Sequence, residues 1–526
     1  MTKTSFLQGA MILTAAGIVV KLLGGVNRIL LSRFLGGEGI GLYQMAYPVY
    51  ILFLSVAGAG IPIAVSIMVA EQIAKGNPGG ARRIFHVTLA VVAVLAVGCG
   101  LAMAVGAQLL VACGVLHDTR ALLPLVVLAP ALTISMLTCC FRGYFQGLQL
   151  MTPTAVSQMA DQGVRVCTML LLAWFFLPYG LELAAAGAAF GAVPGAAAGL
   201  GVIAFLYYRH CRHRAVEKTA ASVGSAASVI KRLALLAVPV AAANMLLPAV
   251  ASIDVFIVPQ RLEAAGYTVQ EATTLFGYLT GMANGLVQLP TILTISLATS
   301  LVPAVSAAYS RSDIAGVMKR VHTAMRIACS ITIPACCGLA VLAAPISKML
   351  YATAAAGPSI CVLSISVFLI GLQQITSGLL QGMGRTGIPL LNMAAAAVVK
   401  IVLSWQLTAI PWLGEVGAAW ATNADLAVAT LLNLYFSRRL IGYSVQWGYM
   451  GRLFIAAAAM AGTAWFVHHG LRLLLGNTGA TLLAMAAAAA VYVLGLILLR
   501  ALSADDVARL PLIGPKLARA VRKMGA

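Results

Sequence analysis

Residues 141–166 read FRGYFQGLQLMTPTAVSQMADQGVRV, and residues 381–400 read QGMGRTGIPLLNMAAAAVVK. In the first stretch Gln146-Gly147-Leu148 is followed by Pro153 and then, 19 residues after the glutamine, by Arg165. In the second, Gln381-Gly382-Met383 is followed by Pro389 and, at the same interval of 19, by Lys400. Each stretch opens as a polar, Gly-containing turn and becomes an apolar helix carrying a cation well inside it. Two further echoes keep the same order. IPIAVS at Pro62 precedes Arg82-Arg83-Ile84 as VPAVS at Pro303 precedes Lys319-Arg320-Val321, and RFLGGEG (33–39) matches RLEAAG (261–266). Three echoes in one order indicate an internal duplication.

What is duplicated follows from composition. The chain has 526 residues, 61% hydrophobic and 9% charged, against about 25% charged in ordinary soluble domains. Apolar runs of about 20 residues recur along it, enough to cross a hydrocarbon core of about 30 Å. In lipid every backbone polar group must be paired within its own element, so these runs are helices, and the alternation of a membrane barrel is absent. About 14 spans fit, the first (6–32) read as retained rather than as a cleaved signal. The expected fold is an all-α polytopic membrane protein with two pseudo-symmetric six-helix lobes plus two extra C-terminal helices. The segments are an N-lobe at 1–208, a basic linker at 209–232, a C-lobe at 233–437, two unrepeated spans within 438–500 and a basic tail at 501–526. Six spans per copy is an even number, so both copies enter the membrane in the same direction.

Orientation follows from the basic residues. With the N-terminus in the cytoplasm, 24 of the 34 Lys and Arg fall in cytoplasmic segments, 5 in external loops and 5 within spans. The reading is a multi-pass protein of the cytoplasmic membrane with both termini inside. The net charge of +20 then faces anionic lipid and needs no nucleic acid to explain it. The ten cysteines are scattered or adjacent without a CxxC, and imply neither disulfide nor metal. No GxxxxGK[ST] loop, Ser/His/Asp set or HExxH is present, so the chain is read as a secondary transporter or flippase and not an enzyme, with no cofactor.

Candidate site residues come from depth. Arg165 and Lys400 lie about 18 and 16 Å past their entry prolines at 1.5 Å per residue, one in each lobe. An uncompensated cation there costs about 3 kcal/mol on insertion scales, so each faces a wet cavity or a partner. Asp161, four residues before Arg165, shares its helical face. Lys21 and Arg28, seven apart on the first span, are read with Arg165, Lys400, Asp161 and Gln158 as lining a substrate cavity, and Gln158 supplies a neutral oxygen of the kind sodium accepts. Asp254, Asn392 and Asp425 offer oxygens to a Na+ or a proton. Glu71 reads as half of a surface ion pair, Arg326 as a headgroup or cavity contact. The glycines at 187, 191, 195 and 199 form one small helical face.

The segments KLLGGVNRILLSRFLGGEGIGLYQMAYPVY (21–50), RGYFQGLQLMTPTAVSQ (142–158) and RLEAAGYTVQEATTLFGYLTGMA (261–283) resemble the stage V sporulation protein B branch of the polysaccharide transporters. So does the tail around LPLIGPKLAR (510–519). That branch belongs to the multidrug/oligosaccharidyl-lipid/polysaccharide exporter superfamily. The resemblance covers the whole chain and implies a MATE-like pair of lobes in a V and alternating access; the protein is expected to act as a monomer. It implies as cargo an undecaprenyl-pyrophosphate-linked oligosaccharide, lipid II or a related cell-wall or spore-cortex precursor. More distantly the chain is similar to lipid II flippases, some of which bind sodium through a carboxylate on span seven and Asn-x-x-x-Asp on span eleven. Asp254 and Asn392 match those positions; Ala396 stands in place of the second carboxylate. Two other readings stay open: a multidrug cation exporter of the same superfamily, and a non-transporting scaffold for envelope or spore assembly. The cations Lys21, Arg165 and Lys400 are the wrong sign for the exporter, and a scaffold would depend on the tail rather than on them.

Overall fold

In the computed structural model the described residues are 6–212 and 225–499, and among them there is helix and no strand. The middle of the basic linker and the tail from 501 lie outside them. The helices are α1 (Phe6–Gly58), α2 (Ile61–Ala74), α3 (Pro78–Ala112), α4 (Leu122–Val127), α5 (Ala129–Gly147), α6 (Met151–Phe176), α7 (Leu181–Phe190) and α8 (Ala192–Arg212). They continue as α9 (Ala226–Ala264), α10 (Val269–Phe276), α11 (Asn284–Tyr309), α12 (Ile314–Val341), α13 (Ala343–Tyr351), α14 (Gly357–Gly382), α15 (Gly387–Leu407), α16 (Glu415–Ile441) and α17 (Trp447–Leu498).

Among the described residues eleven segments are long and apolar enough to cross a membrane. Two of them hold two spans each, broken by a kink at a single glycine with positive φ: Gly36 in α1 (φ 68, ψ −171) and Gly476 in α17 (φ 66, ψ −179). With α16, 27 residues long, the expected fourteen spans are accounted for. Hydropathy places a turn across 33–41, after the first span. The break is instead one residue, and the helix resumes at Gly37. Of the glycines that suggest a loop there, Gly37 and Gly41 serve close packing against α10 and the residue that follows it.

By packing, the chain forms two units. One holds residues up to Glu263 together with Tyr267–Gly277; the other holds Ala264–Gly266 and Tyr278 onward. The duplication is visible inside each. In the first unit α5 ends in a tight turn at Gln149 (φ 57), with Leu150 N bonded to Phe145 O at 2.9 Å. In the second, α14 ends identically at Gly384 (φ 76), with Arg385 N on Leu380 O at 2.9 Å. Gly147 lets α5 approach α2, its Cβ position 2.8 Å from Val69 Cβ; Gly382 does the same for α14 against Val305 of α11, also 2.8 Å. Asn77 caps α3 through Gly80 N, and Asp313 caps α12 through Gly316 N, both at 2.8 Å. The helix after each turn admits Pro153 or Pro389 in its first turn, where no i−4 carbonyl is deprived of a donor.

In the second unit Arg326 does not stand alone. Its Nε donates to Gln446 Oε1 at 2.8 Å and its guanidinium lies 5.1 Å from the Tyr449 ring centroid, fixing the entry of α17 to α12.

Candidate functional site

Arg165 lies about 21 Å along α6 from Met151, near the middle of the helix. Its Nη2 and Nε donate to Asp161 Oδ1 at 3.0 and 3.3 Å, the i,i+4 pair expected from helical spacing. A third member comes from another helix. Arg142 of α5 brings Nη2 to 3.7 Å from Asp161 Oδ2 and 3.5 Å from Ser157 Oγ. Two guanidinium groups thus share one carboxylate, leaving the cluster one positive charge in excess. Side-chain exposures of 13–19% keep it out of bulk water without sealing it.

The small-residue face explains how α8 comes this close. Descending α8 and α7 against α6, Gly199 abuts Asp161 Cβ, Gly195 abuts Arg165 Cβ at 2.7 Å, Gly191 abuts Met169 and Gly187 abuts Phe176. Any side chain there meets α6 directly, so the glycines hold the helix that carries the pair. Ser157 Oγ donates to Gly199 O at 2.9 Å and Thr168 Oγ1 to Gly191 O at 3.1 Å, stitching the same seam.

The second half of α1 contributes three tyrosines at helical spacing. Tyr43 and Tyr47 stack at 5.4 Å, Tyr47 and Tyr50 lie 5.9 Å apart, and Tyr50 Oη meets Ser135 Oγ at 3.2 Å. All three are within electrostatic range of Arg165, and Tyr43 is also within range of Arg28. Arg28 is half-buried, Lys21 exposed and Gln158 half-buried. So the structure gathers Arg165, Asp161 and Arg28 around the tyrosines, and leaves Lys21 and Gln158 without a described contact to them. YQMAYPVY (43–50) carries the signal for the tyrosines; Arg142 carries none, because its partner lies on another helix.

In the second unit Lys400 lies about 20 Å along α15 from Gly387 and is buried, 7% exposed. Asn392, one of the candidate ion ligands, donates Nδ2 to Asn433 Oδ1 at 2.8 Å, and Asn433 donates in turn to Ser377 Oγ at 2.9 Å. This chain joins α15, α16 and α14. Asp425 is half-buried on α16, and Asp254 is half-buried on α9 in the first unit. No group of three or more His, Cys, Asp or Glu able to hold a metal occurs among the described residues.

A second polar cluster sits beside the break in α1 at Gly36. Arg120 donates to Glu38 Oε1 at 2.6 Å and to both Asp118 oxygens at 3.0 and 2.8 Å, and Thr273 of α10 donates to Asp118 Oδ2 at 2.7 Å. Gly41 and Gly277 let the backbones of α1 and α10 touch: a Cβ on either would strike the carbonyl oxygen of Thr273 or Gly37. Burial pushes the Asp118 carboxyl up, but the hydrogen bonds from Arg120 and Thr273 outweigh it and hold the group below its ordinary 3.8. A carboxyl depressed on folding stabilises above its unfolded pKa and loses that contribution as pH falls through the folded one. The Tm difference between wild type and Asp118→Asn is therefore expected to be constant from about pH 5 to 8 and to shrink below about pH 4. A difference that changes near neutrality would exclude this assignment. Elsewhere, Glu71 does form the expected surface pair, with Arg232 Nη2 at 2.6 Å.

A polysaccharide biosynthesis protein family model matches residues 6–309. Stage V sporulation protein B of Bacillus subtilis (strain 168) is 31% identical over 99% of this chain and 100% of its own length. Lipid II flippase MurJ of the same organism is 25% identical over 84% of each chain. A solved structure of lipid II flippase MurJ in an inward closed conformation superposes with a TM-score of 0.71, at 14% identity, covering 93% of this chain and 99% of that one. That likeness is one of fold.

Proposed function

Since the chain belongs to the polysaccharide biosynthesis protein family, whose members are membrane transporters and flippases rather than enzymes, we propose that it flips a pyrophosphate-linked lipid oligosaccharide across the cytoplasmic membrane. Lipid II or a related cell-wall or spore-cortex precursor is the cargo of this reading, which the names of the relatives support. The observation that carries it is the Arg165–Asp161–Arg142 cluster, a net cation held at mid-helix depth. A pyrophosphate crossing a low-dielectric layer needs such fixed positive charge, because charge-assisted hydrogen bonds replace the water it leaves. Lys400, buried at a comparable depth of its own repeat, supplies a second cation. The excess positive charge argues against export of cationic drugs.

On this reading both termini are cytoplasmic, following the basic loops, and movement is driven by alternating access coupled to a Na+ or H+ gradient. Asp254, Asn392 and Asp425 are its candidate coupling residues. The test is a reconstituted flipping assay with lipid II, run with and without each gradient. Wild-type protein is expected to translocate lipid II, and Lys400→Gln to lose about tenfold or more, as one charged hydrogen bond is worth roughly 1.5–3 kcal/mol. Absence of lipid II translocation under every gradient would overturn the cargo; an unchanged Lys400→Gln rate would remove that residue from the path.

A further inference from the structure

Away from the cluster around Arg165, the second unit contains a cavity of about 400 Å³ between α11 and α12, close to where residues 310–313 join them. Its chemistry changes along the helix axes. Lys319 and Arg320 stand at the mouth, about 8 Å into α12, while Leu297 and Ile327 form the floor about 10 Å deeper. Among the described residues no acidic residue lines it and neither cation is paired with a carboxylate. Arg320 Nη1 donates to the Ala304 carbonyl of α11, which fixes the guanidinium at the mouth while its remaining N–H donors stay available. The hydroxyls of Ser300 and Thr323 donate back to their own helices, to Leu297 O and Lys319 O, so they offer no donor inward. The cavity thus has two unneutralised cations at its entrance and a hydrocarbon floor.

We infer that this cavity is a binding site for an anionic phospholipid of the leaflet at that end of the bundle, its phosphate held by Lys319 and Arg320 and one acyl chain lying against Leu297 and Ile327. Three features select this occupant. Two cations without a counter-charge complement a phosphodiester, and basic pockets between membrane helices take anionic headgroups. The apolar floor, continuous with membrane-spanning helices, has no use for a free phosphate. The volume falls in the range of ligand cavities, roughly 300–1,000 Å³, and holds part of one chain rather than a whole lipid.

The test uses full-length protein in nanodiscs containing phosphatidylglycerol with a photoactivatable group in its acyl chain, and maps the crosslinked residues by mass spectrometry. Labelling is expected on the α11 segment around Leu297 and the α12 segment around Ile327. It should fall about fivefold for Lys319→Gln or Arg320→Gln and about thirtyfold for both, from roughly 1 kcal/mol per basic residue. Lys319→Arg should retain the label, which separates loss of charge from loss of fold. Equal labelling by the phosphatidylcholine analogue, or an unchanged double variant, would overturn the inference. Competition by free glycerol 3-phosphate would reassign the site to a soluble phosphate. Displacement by a small fraction of polyprenyl pyrophosphate would reassign it to the cargo, whatever the outcome of the flipping assay.

Discussion

Replacing Arg165 by glutamine is expected to abolish complementation of a flippase-deficient strain and to slow lipid II flipping by about 10- to 100-fold, while the protein still reaches the membrane. The magnitude is that of one or two charge-assisted hydrogen bonds to phosphate, roughly 1.5–3 kcal/mol each. Arg165→Lys keeps the charge but loses the fork that reaches two oxygens at once, so an intermediate rate follows. Asp161→Asn separates this role from a merely structural one. Were the pair only a lock between helices, removing either partner would leave a buried charge and do comparable harm. In the phosphate reading, Asp161→Asn removes the group that tempers Arg165 and Arg142 (3.0 and 3.7 Å away) and leaves both cations in place. Flipping by Asp161→Asn should then exceed that of Arg165→Gln by about tenfold. Equal loss in the two variants would assign the cluster to packing.

Gly277→Ala is expected to lower stability by about 3 kcal/mol, the upper part of the usual overpacking range. The reason is that its Cβ meets backbone rather than a movable side chain. The nearest atoms are Gly37 O, Gly41 N and Gly37 C, and α1 cannot yield there without breaking its own helical hydrogen bonds. Gly41→Ala meets Thr273 O from the other side and should behave alike. Either substitution pushes α10 off α1 and stretches the 2.7 Å bond from Thr273 to Asp118. A fall in the Tm of purified protein, together with faster hydrogen exchange in Val269–Phe276, would register both effects. Gly476→Ala is a useful contrast: its Cβ position meets nothing within 4 Å, so its cost comes only from a φ of 66° with ψ −179°, about 1–3 kcal/mol. A Gly277→Ala protein as stable as wild type would show that α10 does not pack as described.

Hydropathy and length carry the number of spans, because a lipid environment admits few solutions for a 20-residue apolar run. The duplication shows in QGL…P…R and QGM…P…K because those residues build the same turn twice, at Gln149 and Gly384. The Asp161–Arg165 pair is readable because helix geometry alone brings i and i+4 together. Where helix contacts helix, the residues are silent or misleading. GGEGIG (36–41) has the composition of a loop, yet Gly36 alone interrupts the helix. Gly37 and Gly41 lie on a helix that must touch another backbone. Nothing near Asn392 in the sequence names its hydrogen-bond partner Asn433, 41 residues away on α16. Arg142 has the position of a loop cation and is half of the charge around Asp161. The helices, their repeat and the charges they carry are thus written in the residues, since these depend on neighbours along the chain and on the solvent. Which charges share a partner, and which glycines are seams, emerges only once the helices pack, because both depend on distances between helices that no local spacing encodes.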